Sequence, residues 1–214
     1  MSSIKEILKH NRVFVEEKHY TPFQTTKYPD RKMVILTCMD TRLLELLPKA
    51  LGIRNGDAKV IKNAGAVVSH PFGSIMRSIL LAIYELKVQE VYVIGHHECG
   101  MANLKSAPIL ESALQHGIPA DHIETLTYAG IDLDSWLTGF KNIEDSIANS
   151  VHMIRSHPLF PDSIPIHGLV IHPSTGQLDV VVEGQPILPK EGARVAHNTN
   201  RISIQTLNER RGEL

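Results

Sequence analysis

Two apolar runs end in side chains that can hold a metal ion. VILTCMDTR, residues 34–42, finishes on Cys38, Asp40 and Arg42. VYVIGHHECGM, residues 91–101, breaks into His96, His97, Glu98 and Cys99. The chain has only two cysteines, and each follows such a run. A lone cysteine behind a strand is ordinarily a small hydrophobe. Two thiols and an imidazole at the ends of two separate strands are a different matter. Converging on one point, Cys38, His96 and Cys99 suit Zn2+, which prefers four-coordinate sites built from Cys and His. Three protein ligands leave one position for water, which is the catalytic arrangement.

The elements that must bring these residues together are visible as periodicity. MVILT (33–37), AKVIK (58–62), VYVIG (91–95), HGLVI (167–171) and LDVVVE (178–183) read as strands, several of them apolar enough to be buried on both faces. An amphipathic helix is expected over 3–17 and a short one over RLLELLPKAL, with Pro48 at a bend or in a new first turn. A longer helix covers 72–87, and residues 100–157 are mostly helical, broken at Gly117, Gly130 and Gly139. Alternating strands and helices imply parallel strands with helices on both faces. PSTGQ (173–177) joins the last two strands as a hairpin, so the fold is α/β: four parallel strands plus an antiparallel fifth. One domain spans 1–184, and the polar stretch 185–214 is a C-terminal extension. In such a sheet, ligands bind beyond the carboxyl ends of the strands, where the strand order reverses. Cys99 is expected at the opening of a helix, whose N-terminus would favour its thiolate.

Composition narrows the class. Lys and Arg number 22 against 23 acidic residues, so no global field recruits nucleic acid or a membrane surface. No apolar stretch approaches the ~20 residues that span a bilayer. With two cysteines and no secretory leader pattern, a cytoplasmic protein is expected, its cysteines acting as thiols or metal ligands. The amphipathic first helix has few basic residues and is expected to pack on a sister subunit.

The pattern C-x-D-x-R (Cys38, Asp40, Arg42) followed by H-x-x-C (His96, Cys99), with GDAKVIKNAGAVV (56–68) between them, resembles the beta-class carbonic anhydrases, in particular the smaller archaeal and bacterial branch. The resemblance covers residues 1–184. It implies that Cys38, His96 and Cys99 bind zinc and that Asp40 and Arg42 form a catalytic dyad. Asp40 would become a fourth ligand only in a closed state. It further implies a lyase that hydrates carbon dioxide to bicarbonate and a proton by zinc-generated hydroxide, acting as a homodimer or larger homo-oligomer. Ala66 stands where the family often has Asn, which removes a polar group from that position. His70 and His97 are candidates for carrying the proton away. Two other functions fit the same motifs: hydrolysis of carbonyl sulfide or carbon disulfide, and a non-catalytic structural zinc or thiol switch.

Overall fold

The computed structural model describes residues 3–186. Most of the C-terminal extension, 187–214, lies outside the described residues.

Five strands make one sheet in the order β2-β1-β3-β4-β5: β1 Met33–Cys38, β2 Ala58–Asn63, β3 Glu90–His96, β4 Ile166–Ile171 and β5 Leu178–Val182. The first four are parallel, and β5 runs antiparallel to β4, as expected from the hairpin. Chain order passes from β1 outward to β2, then back across β1 to β3. The strand order therefore reverses between β1 and β3, and the crevice at their carboxyl ends is the place for a ligand.

Side-chain alternation assigns each face its core. From β1 and β3, Val34, Leu36, Val91 and Val93 point to one side. There they meet Met76 and Ile79 of α3 (Ser74–Tyr84) and Ile147, Val151 and Ile154 of α7 (Ile143–Arg155). Ile35 and Ile94 point to the other side, under Leu43 and Leu47 of α2 (Leu43–Ala50). Pro48 sits inside α2 near its C-terminal end. Two strand glycines let α7 come close: a Cβ on Gly95 would stand 2.7 Å from Ile143 Cδ1, and one on Gly168 2.8 Å from Ile147 Cγ2.

The first helix, α1 (Ile4–Glu16), opens on a capping box between Ser3 and Glu6, yet none of its residues is buried. Ile4, Ile7, Leu8 and Val13 are all exposed. Between β3 and β4 lie α4 (Ser106–Gln115), α5 (Ala120–Tyr128), α6 (Leu133–Leu137) and then α7, so the stretch expected to be helical is so. The helix expected over 72–87 is shorter. It begins at Ser74 behind an extended Gly73 and stops at Tyr84. No described helix is long and apolar enough to cross a membrane.

Candidate metal centre

Both strands run one residue further than their apolar runs, so Cys38 and His96 are the last residues of β1 and β3. Because β1 and β3 are adjacent, those ends meet. The ligand atoms of Cys38, His96 and Cys99 all lie within 4.8 Å of one another, and all three residues are buried. The sulfurs are 3.8 Å apart, and both cysteines are free thiols.

Cys99 arrives by a route other than the one expected. It lies in a turn; the next helix, α4, begins only at Ser106. Glu98 breaks the helix before it can start, because its φ of +55° is left-handed. For a residue with a Cβ this costs about 1–2 kcal/mol. No helix N-terminus favours the Cys99 thiolate. Its pKa is raised, first by the hydrogen bond it gives Cys38 and then by burial. The Cys38 thiol is pushed down to about 4, first by that same bond and further by His96 and the Gly65 N–H. Without metal, the pair therefore holds one proton between two sulfurs.

Gly65 was legible only as part of a small-residue loop. Its φ of +80° turns its N–H onto Cys38 Sγ at 3.4 Å. Any side chain there would meet Phe140 and Met101 at 3.1–3.2 Å. Ala66 is also left-handed, with a φ of +57°, and fully buried.

His96 has no solvent exposure. Its Nδ1 lies 2.8 Å from the His97 carbonyl oxygen, which fixes the N–H on that side and leaves a lone pair on Nε2. Nε2 has no hydrogen-bond partner. A buried, unpartnered nitrogen costs free energy unless something else satisfies it. Facing two sulfurs, with its second nitrogen anchored, Nε2 has the setting of a metal ligand. The three residues fit a soft divalent ion such as zinc.

Asp40 and Arg42 stand beside this cluster. Arg42 grips Asp40 side-on: Nε donates to Oδ1 at 3.0 Å and Nη2 to Oδ2 at 2.9 Å. The Arg42 backbone N–H adds a third bond to Oδ1 at 2.9 Å. These bonds hold the Asp40 carboxyl down to about 2. Its Oδ2 lies 3.7 Å from His96 Nε2, so the carboxylate is beside the Cys38–His96–Cys99 cluster without belonging to it. The far edge of the guanidinium is taken by Glu98, whose carboxylate and backbone oxygen both accept from Arg42. No sequence signal marked that contact.

His96, Glu98 and Cys99 line a cavity of about 230 Å³ with Phe140 and Ile143. A larger cavity of about 740 Å³, walled by Val67, Met101 and Trp136, shares Phe140 with it. His97 also borders the smaller cavity, its Nε2 lying 3.9 Å from Asp179. His70 is turned to its own loop, accepting from the Phe72 N–H at 3.0 Å.

Residues 33–178 match the family model described as carbonic anhydrase. The chain belongs to the beta-carbonic anhydrase family. That family is one of lyases (carbonate dehydratases), and membership places this beta-carbonic anhydrase among enzymes. It is 60% identical to the Bacillus subtilis (strain 168) protein named "Putative carbonic anhydrase YvdA", over 86% of this chain and 93% of that one. A solved structure of beta-carbonic anhydrase isoform I from Trichomonas vaginalis is 40% identical, with a TM-score of 0.77, and is matched over its whole length by 86% of this chain. A carbon disulfide hydrolase of Acidithiobacillus thiooxidans is 30% identical over 70% of this chain and 76% of its own length.

Proposed function

We propose that this beta-carbonic anhydrase holds zinc on Cys38, His96 and Cys99 and interconverts carbon dioxide and bicarbonate with release of a proton. The observation that carries this reading is the buried Nε2 of His96, which lacks a partner and faces two sulfurs, with an ionised carboxylate 3.7 Å away. When bound, zinc supplies hydroxide at neutral pH by acidifying a water molecule.

The protein's own groups do the rest. Two thiolates would neutralise the ion and weaken that acidification, so charge must be drawn off the sulfurs. The Gly65 N–H does this at Cys38. Asp40 accepts a hydrogen bond from the reacting water and so turns a lone pair toward carbon dioxide. A free carboxylate this near the cluster would occupy the open position itself. Arg42 prevents that through its bidentate hold, which is the arrangement present here. Released from Arg42, Asp40 would close the site as a fourth ligand. Acidic pH would favour closure, because water competes with the Asp40 carboxylate for the open position less well than hydroxide would.

The likeness to carbon disulfide hydrolases favours a second substrate class, carbon disulfide or carbonyl sulfide, on the same residues. One purified sample separates the readings. Zinc content, stopped-flow carbon dioxide hydration and sulfide release are measured with and without chelator, across about pH 6.5 to 9. Chelator-sensitive hydration with about one zinc per chain supports the hydratase. Zinc binding without turnover on any of the three substrates overturns the catalytic reading.

The exposed apolar residues of α1 support a homodimer or larger assembly, in which a second copy covers Ile4, Ile7, Leu8 and Val13. Two unpaired cysteines are in keeping with a reducing, cytoplasmic setting.

A further inference from the structure

Arg42 has a second carboxylate partner. Its Nη1 donates to Glu98 Oε2 at 3.2 Å, and its Nη2 donates to the Glu98 backbone oxygen at 3.1 Å as well as to Asp40. The guanidinium is thus clamped between the Asp40 turn and the loop that carries Cys99. Glu98 is also left-handed, with a φ of +55°, a conformation that costs a residue with a Cβ about 1–2 kcal/mol. Its side chain is 66% exposed, so packing is not what holds it.

We propose that Glu98 is a positioning residue: it fixes Arg42 from behind, so that Arg42 keeps Asp40 off the metal cluster. This rests on the reading of Asp40 and Arg42 given above and adds a residue to it. An arginine held only by Asp40 can swing away with that carboxylate, and the two would move together toward the ligands. Anchored at its far edge by a different segment, the guanidinium stays in place, and Asp40 must leave it in order to close the site. The anchor belongs to the ligand loop itself, so placement of Cys99 and placement of Arg42 are coupled.

The charged neighbours decide how the anchor responds to solution conditions. Asp40 and Arg42 face Glu98 from the β1–α2 turn, while Lys141, just before α7, and Glu144, in its first turn, line the same cavity as Glu98. His97 precedes it in the chain and borders that cavity too. The Glu98–Arg42 contact is open to solvent, so salt weakens it.

The test compares Glu98→Gln, which keeps size and an acceptor oxygen but loses the charge, with Glu98→Asp, which keeps the charge. In the metal-free protein, NMR of the Arg42 Nε–H reports how firmly the guanidinium is held. We expect its exchange with water to rise about threefold in Glu98→Gln, as an exposed ion pair implies, and to be partly restored in Glu98→Asp. In the zinc-loaded protein, threefold easier closure moves the pH of half-maximal hydration upward by about 0.5 unit. High salt should move the wild type the same way, and by more than it moves Glu98→Gln, which keeps only the Arg42–Asp40 pair. Unchanged Nε–H exchange in Glu98→Gln overturns the proposal, as does altered exchange with an unmoved pH midpoint. Failure of the underlying dyad reading is recognised separately, by an Arg42→Ala variant that turns over normally.

Discussion

The sulfur of Cys38 lies 3.8 Å from that of Cys99, with one pushed down in pKa and the other pushed up by the bond between them. This has a measurable sign. From about pH 4, where Cys38 ionises in the folded chain, to the ordinary thiol value of 9.0, the folded pair binds fewer protons than the unfolded one. Metal-free stability therefore rises with pH through that window. Above 9.0 the sign reverses, because Cys99 keeps its proton after unfolded thiols have lost theirs. His96 offsets part of the gain just above 6.5. Burial would lower its pKa, but the Cys38 sulfur and the His97 carbonyl more than compensate. Urea titrations in chelator and reductant, from acid to alkaline pH, should show this maximum in the wild type and a flatter curve in Cys38→Ser.

Removal of the Arg42 side chain should cost turnover without costing metal. Asp40 would return from about 2 toward the ordinary carboxylate value, still ionised at neutral pH, so the loss is one of position. Arg42→Ala is expected to lower carbon dioxide hydration about 100-fold, the scale of losing a preorganised group beside the reacting atoms. Arg42→Lys should recover only a fraction, since an ammonium cannot form the side-on pair. Zinc content measured beside stopped-flow rates checks this, and loss of zinc in step with activity would argue against it.

Gly65→Ala combines a left-handed backbone with crowding against Phe140 and Met101. It should destabilise the protein by about 1–2 kcal/mol. It should also weaken zinc binding, because the N–H that bonds Cys38 Sγ would be displaced. Thermal unfolding and chelator competition read the two effects separately. A variant with unaltered zinc affinity would show that the Gly65 bond does not support the site.

The contact between Gly95 and α7 gives a coupling test. Gly95→Ala drives a methyl group to 2.7–2.8 Å from Ile143 Cδ1 and Ile147 Cδ1, at a cost of about 1–3 kcal/mol. Trimming both isoleucines to valine removes the clashing atoms. The triple variant should then be more stable than the separate losses predict when summed, by about 0.5 kcal/mol or more, as expected for residues in contact. Simple additivity in denaturant titrations would contradict the contact.

The strands and the clustering of Cys38, His96 and Cys99 were legible because they depend on short-range patterning. Apolar runs mark buried strands, and the residue that ends each run must lie at the sheet's edge. The run MVILT stops one residue short of Cys38, and VYVIG one short of His96, because polarity changes before hydrogen bonding does. The setting of Cys99 was misread because H-x-x-C spacing suits a helix, and nothing local shows that Glu98 turns left-handed. Its hydrogen-bond partner, Arg42, is 56 residues away. Gly65 likewise acts on Cys38 across the β1–β2 pairing. Contacts of that range leave no period in the sequence. Gly95 looked like the end of a strand; its actual duty, making room for α7, becomes visible only once the helix is in place.

The adjacency of β1 and β3 also sets a timetable. Cys38 and Cys99 are 61 residues apart, and the chain between them lays β2 on the far side of β1 before it returns as β3. Closing so long a loop is entropically slow compared with forming local helices. An emerging chain therefore brings Cys38, His96 and Cys99 together only once β3 lies beside β1. On the proposed reading, capture of the ion would be a receipt for correctly paired β1 and β3, and a misregistered intermediate would be left empty-handed.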